Sequence, residues 1–255
     1  MNSTLNENLR LLKNRFPALY ELLPQKESPA LSFALSKTNV PVLMEKRDGR
    51  EIPLNSKYNP LSEAEKNSAT FDTEKEGAVF FSPLLAYECE IFARNFPKKS
   101  IYIIEPDPLY FYTSLFSSAW STILKHEKLF LIAGSAPEDA QKILNIEGTE
   151  NLFFFRNAPR MKHAENWYQK LDSELRKSEQ IKKVNNSTLE KFASRWMKNS
   201  LKNLKDFFKS GDVKRYFGLA EDIPFVVIAA GPSLKKILPY LKEIKKRSVI
   251  VCVDT

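Results

Sequence analysis

Only two cysteines, Cys89 and Cys252, occur in the 255 residues. They lie far apart in apolar surroundings and match no metal-ligand spacing, which excludes a disulfide framework and a cysteine-based metal site and fits a reducing, cytoplasmic setting. No stretch approaches the run of about eighteen apolar residues that a membrane-spanning helix needs, so no transmembrane segment is expected. The first twenty residues, MNSTLNENLRLLKNRFPALY, carry charges at helical spacing where a signal peptide needs an apolar block. Glycine is scarce as well, with seven in all. None stands in Ser82-Pro83-Leu84-Leu85-Ala86, the turn after the first strand of the main sheet, so that turn lacks the residues that let a backbone close on a pyrophosphate.

Apolar residues make up 43% of the chain, enough for a real core at this length. The formal net charge is +8, and it is concentrated in one region. Between Arg160 and Lys209 thirteen Lys and Arg face six Asp and Glu. Such a stretch reads as a solvated lysine-rich face, or as a surface for an anionic partner such as a nucleotide sugar, nucleic acid or acidic membrane.

Along the chain, a helix is expected from Leu5 to Leu23, ended by Pro24. VPVLMEKRDGREIPL then places Asp48-Gly49 between two alternating runs, which suits a type I′ hairpin. Asn59-Pro60 halts the extended chain before a short helix opened by Ser62-Glu63-Ala64-Glu65. From Gly77 onward, strands alternate with helical segments: AVFF, a helix over 84–96, SIYIIEPDP, a helix over 109–124, KLFLIAG, a helix over 137–144, and NLFFF. Continuous apolar strands spaced in this way predict a Rossmann-like parallel sheet covered on both faces. Glu105 and Asp107 end its second strand, where dinucleotide-binding folds place a ribose-reading acid.

Residues 185–209 read as an amphipathic helix. Ser187 and Glu190 have capping-box spacing, and Leu189, Phe192, Ala193, Trp196, Met197, Leu201, Leu204 and Phe208 form an apolar stripe expected in the core. The aromatics lie on that stripe and not among the lysines, which argues against nucleic acid as a partner. After a polar connector comes a second strand–turn–helix–strand: Phe225–Ala229, the turn Ala230-Gly231-Pro232-Ser233, a helix from Leu234 to Lys246, and Val249–Val253 followed by Asp254. A strand-to-helix turn exposes free N–H groups to anions; Gly231 allows close approach and Ser233 offers either a cap or a hydroxyl. The spacing is not that of a Walker A loop. From the residues alone the turn reads as either a phosphate cradle or a capped corner. The expected organisation is an N-terminal helix and hairpin segment (1–76), a Rossmann-like α/β domain (77–184), a connecting helix and linker (185–221), and the first βαβ unit of a second domain (222–255).

VVIAAGPSLKK resembles the Gly-Pro-Ser-Leu motif of the Maf (motility accessory factor) flagellin glycosyltransferases. Their central domain is related to bacterial sialyltransferases and to an archaeal hydroxymethylpterin pyrophosphokinase. SKYNPLSEAEK, IYIIEPDPLYF, RWMKNSLKNL and VIVCVDT resemble further family segments in the same order. The resemblance implies transfer of a nonulosonic acid from a CMP-activated donor to Ser or Thr of flagellin. It carries CMP contacts over to Ala230, Gly231, Pro232, Ser233 and Asp254, and leaves homo-oligomerisation open. The family's second domain continues beyond the position of Thr255. Neither His126 nor His163 lies in that domain, so no catalytic base and no metal ligand is assigned, and the chain is expected to be inactive by itself. The related pyrophosphokinase activity, with ATP, and a non-catalytic scaffold that binds flagellin or another acidic partner are the alternatives.

Overall fold

The computed structural model describes residues 2–219, 221–229, 231 and 233–252. The chain divides into two compact units, 1–184 and 185–255. The first opens with α1 (Asn2–Arg15) and α2 (Pro17–Leu22), where one continuous helix was expected. Pro17 is the reason: it forces the residue before it out of the helical region, and Phe16 sits at φ −131°, ψ 62°. Asn8, fully buried on α1, donates through Nδ2 to the carbonyls of Leu115 (2.8 Å) and Ser117 (2.9 Å). Arg15 donates to the carbonyls of Leu124 and His126.

A three-stranded antiparallel sheet follows, in the order β1 (Leu31–Leu35), β2 (Pro41–Arg47), β3 (Arg50–Pro53). Asp48 (φ 51°) and Gly49 (φ 74°) take the left-handed conformations of the expected hairpin turn. β1 was missed, because the segment around it reads as polar. Helix α3 (Pro60–Ser68) starts one turn earlier than its acidic residues suggest, because Asn59 caps it by accepting from Ser62 N at 3.1 Å.

The parallel sheet has the order β6-β5-β4-β7. Its elements run β4 (Gly77–Phe81), α4 (Tyr87–Asn95), β5 (Ser100–Glu105), α5 (Pro108–Ser114), α6 (Ala119–Ile123), β6 (Leu129–Ala133), α7 (Pro137–Glu147), β7 (Leu152–Phe155) and α8 (Ala158–Met161). Helix α9 (Glu165–Lys209) begins in this unit. The α/β class is as expected. Alternate strand residues serve opposite faces: Ala78, Phe80, Ile101 and Ile103 join one core, while Val79, Phe81, Tyr102 and Ile104 join a second with Leu144, Tyr168 and Leu171. At Gly77 a Cβ would stand 2.7 Å from Ser100 O, so the close start of β4 against β5 requires glycine. The helix expected over 109–124 is two pieces, since the Leu115 and Ser117 carbonyls are turned to Asn8.

In the second unit, β8 (Phe225–Ile228) and β9 (Val249–Cys252) pair in parallel, with Phe225 opposite Val249 and Ile228 opposite Cys252. Between them the single helix expected over 234–246 is α10 (Leu234–Ile237), a 3-10 turn and α11 (Leu241–Ile244), broken where Pro239 removes an amide donor. Two expectations for 185–209 are corrected. Because α9 runs unbroken from Glu165, Ser187 and Glu190 lie mid-helix and cap nothing. The apolar stripe is not core, since Leu189, Trp196, Met197, Leu201, Leu204 and Phe208 are 46–77% exposed and no described α9 residue beyond Leu175 is buried. Periodicity reports an apolar face, not the surface that covers it. Among the described residues no helix is long and apolar enough to cross a membrane.

Asn8→Ala is expected to lower the unfolding free energy by about 2 kcal/mol, because two buried carbonyls lose their donor. Urea denaturation of the chain and the variant measures it.

Candidate functional site

The turn after β4 keeps the left-handed backbone that glycines would adopt, but builds it from other residues. Ser82 (φ 43°), Leu84 (φ 53°) and Ala86 (φ 59°) all have positive φ, each a conformation that costs a non-glycine residue of order 1 kcal/mol. The surroundings hold it. The Leu84 carbonyl accepts from Trp120 Nε1 (3.2 Å), the Leu85 carbonyl from Ser117 Oγ (2.7 Å), and the Ser82 hydroxyl meets Tyr168 Oη at 2.6 Å. Leu84 and Leu85 are buried, so protein groups occupy this turn. The acidic strand end is engaged internally as well. Asp107 caps α5 by accepting from Leu109 N (2.8 Å), and Glu105 accepts from Asp107 N (3.0 Å) and from His163 Nε2 (2.8 Å). Glu105 is thereby held inside the fold, and Asp107 uses one carboxylate oxygen as a helix cap.

His163 belongs to a buried charged cluster. Its Nδ1 lies 2.8 Å from the Arg160 carbonyl, and the Tyr110 ring stacks on it at 4.0 Å. Tyr110 in turn donates to Glu45 at 3.0 Å. With an oxygen acceptor at each ring nitrogen, the doubly protonated ring satisfies both. Burial opposes that charge, but the hydrogen bond and the charge of Glu105 outweigh it and raise the pKa of His163. His126 is also buried, with Nε2 2.8 Å from the Lys99 carbonyl.

Strand order reverses between β4 and β7, since the chain builds outward through β5 and β6 and then returns to the other side of β4. Open α/β sheets bind ligands at such switch points, beyond the carboxyl ends of the strands. A pocket of about 350 Å³ lies there, lined from β4 and β7 and from α3, α4 and α8. Inside it Arg160 (3% exposed) pairs with Glu88 (5% exposed) at 2.9 Å. Arg160 Nε donates to the Leu54 carbonyl (2.7 Å), and Asn67 donates to Glu88 (3.3 Å). Burial alone would raise the Glu88 carboxyl, but the Arg160 charge more than offsets it and holds the pKa below its ordinary value. At the rim, the Arg156 guanidinium lies 4.8 Å over the Phe81 ring and forms two hydrogen bonds, 2.8 and 3.0 Å, to Asp172. Sequence reasoning missed this pair, because Arg160 reads as the first residue of a solvated basic stretch. The cap of Asn157 on α8, accepting from Arg160 N, is the one local signal of order there.

Of the sequence-derived site residues, Ala230, Pro232 and Asp254 lie outside the described residues. Among the described residues Gly231 has nothing within 4 Å of where a Cβ would stand, and its carbonyl accepts from Leu234 N at 2.9 Å. Ser233 has helical dihedrals (φ −70°, ψ −21°) and makes no cap hydrogen bond, so the reading of it as a helix cap does not hold. α10, at four residues, is too short to supply a strong helix dipole. The register that pairs Ile228 with Cys252 brings the carboxyl ends of both strands together.

Residues 198–255, which contain this turn and both strands, match a family model described as 6-hydroxymethylpterin diphosphokinase MptE-like. Over 198 residues the chain is 26% identical to an uncharacterized protein of Treponema pallidum (strain Nichols), covering 76% of this chain and 68% of that one. A crystal structure of MNMC2 from Aquifex aeolicus aligns with 53% of each chain at 13% identity and a TM-score of 0.28, a likeness too slight to define a shared fold.

Because folding raises the His163 pKa above its ordinary 6.5, the stabilisation this ring contributes is complete below about pH 6.5 and is lost as pH rises through the folded-state value. Unfolding free energy measured in urea from about pH 6 to 9 is expected to fall with pH, and His163→Gln to flatten that slope.

Proposed function

We propose that the β8–β9 unit forms one wall of a nucleotide-sugar site in a Maf-like glycosyltransferase. In this reading the enzyme works in the cytoplasm and moves a nonulosonic acid from a CMP donor to Ser or Thr hydroxyls of flagellin. The observation that carries it is the state of the turn: among the described residues, open space above Gly231 and a Ser233 hydroxyl that caps nothing. Both residues fall within the MptE-like segment, at the carboxyl end of a parallel strand pair. A backbone without a Cβ admits a phosphate or ribose closely, and a hydroxyl not used as a cap can donate to it. Lys235 and Lys236 follow, exposed, and supply positive charge beside an anionic ligand. Ala230, Pro232 and Asp254 join the same wall by the family resemblance. In the transfer, the acceptor hydroxyl forms a bond to the anomeric carbon, CMP leaves with the bonding electrons, and a general base takes the hydroxyl proton. No residue of this chain is assigned as that base.

A second reading is favoured by the description of the matched family: a diphosphokinase that passes a diphosphoryl group from ATP to a pterin alcohol. Calorimetric titration of the chain with CMP and with ATP plus Mg²⁺ separates the two. CMP is expected to bind and ATP not to. Ser233→Ala is expected to weaken CMP about threefold to tenfold, the worth of one neutral hydrogen bond. Binding of ATP alone would favour the diphosphokinase, and CMP binding indifferent to Ser233→Ala would remove that residue from the site.

A further inference from the structure

The second half of α9 carries more uncovered apolar surface than a free face normally does. Seven apolar side chains from Leu189 to Phe208, three of them aromatic, are each about half exposed or more. With aromatic side chains burying roughly 150–250 Å² each, the seven present on the order of 900 Å². The largest apolar patch on an ordinary monomer is about 300–600 Å², whereas each side of a standard protein interface buries about 800 Å². The area is that of a half-interface.

The charges around the stripe narrow what covers it. At about 100° per residue, the seven side chains fall on one side of the helix. Lys191, Arg195, Lys198, Lys202, Lys205 and Lys209 fall within an arc of about 80° on the opposite side. Ser194, Asn199 and Asn203 separate the two faces, and the charge nearest the stripe is acidic, Glu190. At one edge Phe192 is half-buried, with the Lys191 and Arg195 cations 5.4 and 5.7 Å from its ring centre. Phosphates of a lipid surface or a nucleic acid seated on the stripe would meet no cation there, although both kinds of partner are bound through cations beside the contact. The face instead fits an apolar protein surface with uncharged edges, and a second copy of the same helix supplies one.

We propose that residues 189–208 of α9 pair antiparallel with the same segment of a second copy, about a two-fold axis between Lys198 and Asn199. That register sets Leu189 level with Phe208, Ala193 with Leu204, Trp196 with Leu201, and Met197 with Ser200. Each layer places a larger side chain against a smaller one, as close packing of two identical faces requires. The cations of both copies point away from the seam, so the net charge of +8 on each chain does not gather in it.

Sedimentation equilibrium of the full chain, with hydrogen exchange at the two ends of the concentration range, tests the pairing. Between about 1 and 100 μM the mass is expected to rise to that of two chains, with protection gained over 189–208. Leu201→Glu and Ser200→Arg, both at exposed positions, are expected to keep the circular dichroism of the chain. Each is expected to raise the dimer Kd about 100-fold or more, because the symmetry places the new charge in the seam twice. Lys202→Glu, a larger change of charge on the opposite side, is expected to leave the Kd within about threefold. A monomer throughout the range, a dimer indifferent to both seam variants, or protection confined to other segments would each overturn the proposal. A monomer that co-sediments with phosphatidylglycerol vesicles and loses them in Leu201→Glu would assign the face to a membrane instead.

Discussion

The Arg160 guanidinium joins parts of the chain that local sequence would leave separate. Its Nε reaches the Leu54 carbonyl, just past the antiparallel sheet, and its Nη2 faces Glu88 in the first turn of α4. Asn67 on α3 completes the junction by donating to Glu88. One buried charge therefore ties the small sheet, α3 and α4 to the segment that leaves β7. Two charges taken out of water carry a desolvation cost, and an ion pair offsets it only if the remaining polar atoms find partners. Here Nε donates to the Leu54 carbonyl, and Glu88 Oε1 takes both the Nη2 contact at 2.9 Å and the Asn67 amide.

A second buried pair stands at the end of β5. His163 and Glu105 are each at most 5% exposed at the side chain, and Tyr110 joins them to Glu45 on β2. Together the two pairs leave the first unit with apolar cores on both sheet faces and charge confined to the strand ends. The second unit is different in kind. Its strands carry exposed Phe225 and Val227, and Trp196, Phe207 and Phe208 in the second half of α9 are exposed.

The alternation of apolar strands and helices was readable because buried parallel strands must be apolar on both faces, and the Asp48-Gly49 turn because its backbone conformation admits few residues. Pro17 and Pro239 carried signals of equal strength that the apolar spacing on either side of them concealed. The buried ion pairs were not readable. Arg160 sits at the start of a basic run and Glu88 in an apolar helix, and nothing local distinguishes a charge that will be buried by residues far along the chain. The candidate turn shows the same limit. Gly231 and Ser233 announced themselves as a type of corner, but whether the hydroxyl would be used as a cap depended on dihedral angles that no residue pattern fixes.

The direct measurement of the central claim is a double-mutant cycle on the buried pair, with Arg160→Met, Glu88→Gln and the combination compared by equilibrium unfolding. Each single change is expected to cost about 3–5 kcal/mol, because it leaves the other charge buried and alone. The double change is expected to cost less than the sum, with a coupling of about 2 kcal/mol or more. A coupling below about 0.5 kcal/mol, with each single change nearly neutral, would contradict the account and make the Arg160–Glu88 pair incidental to the fold.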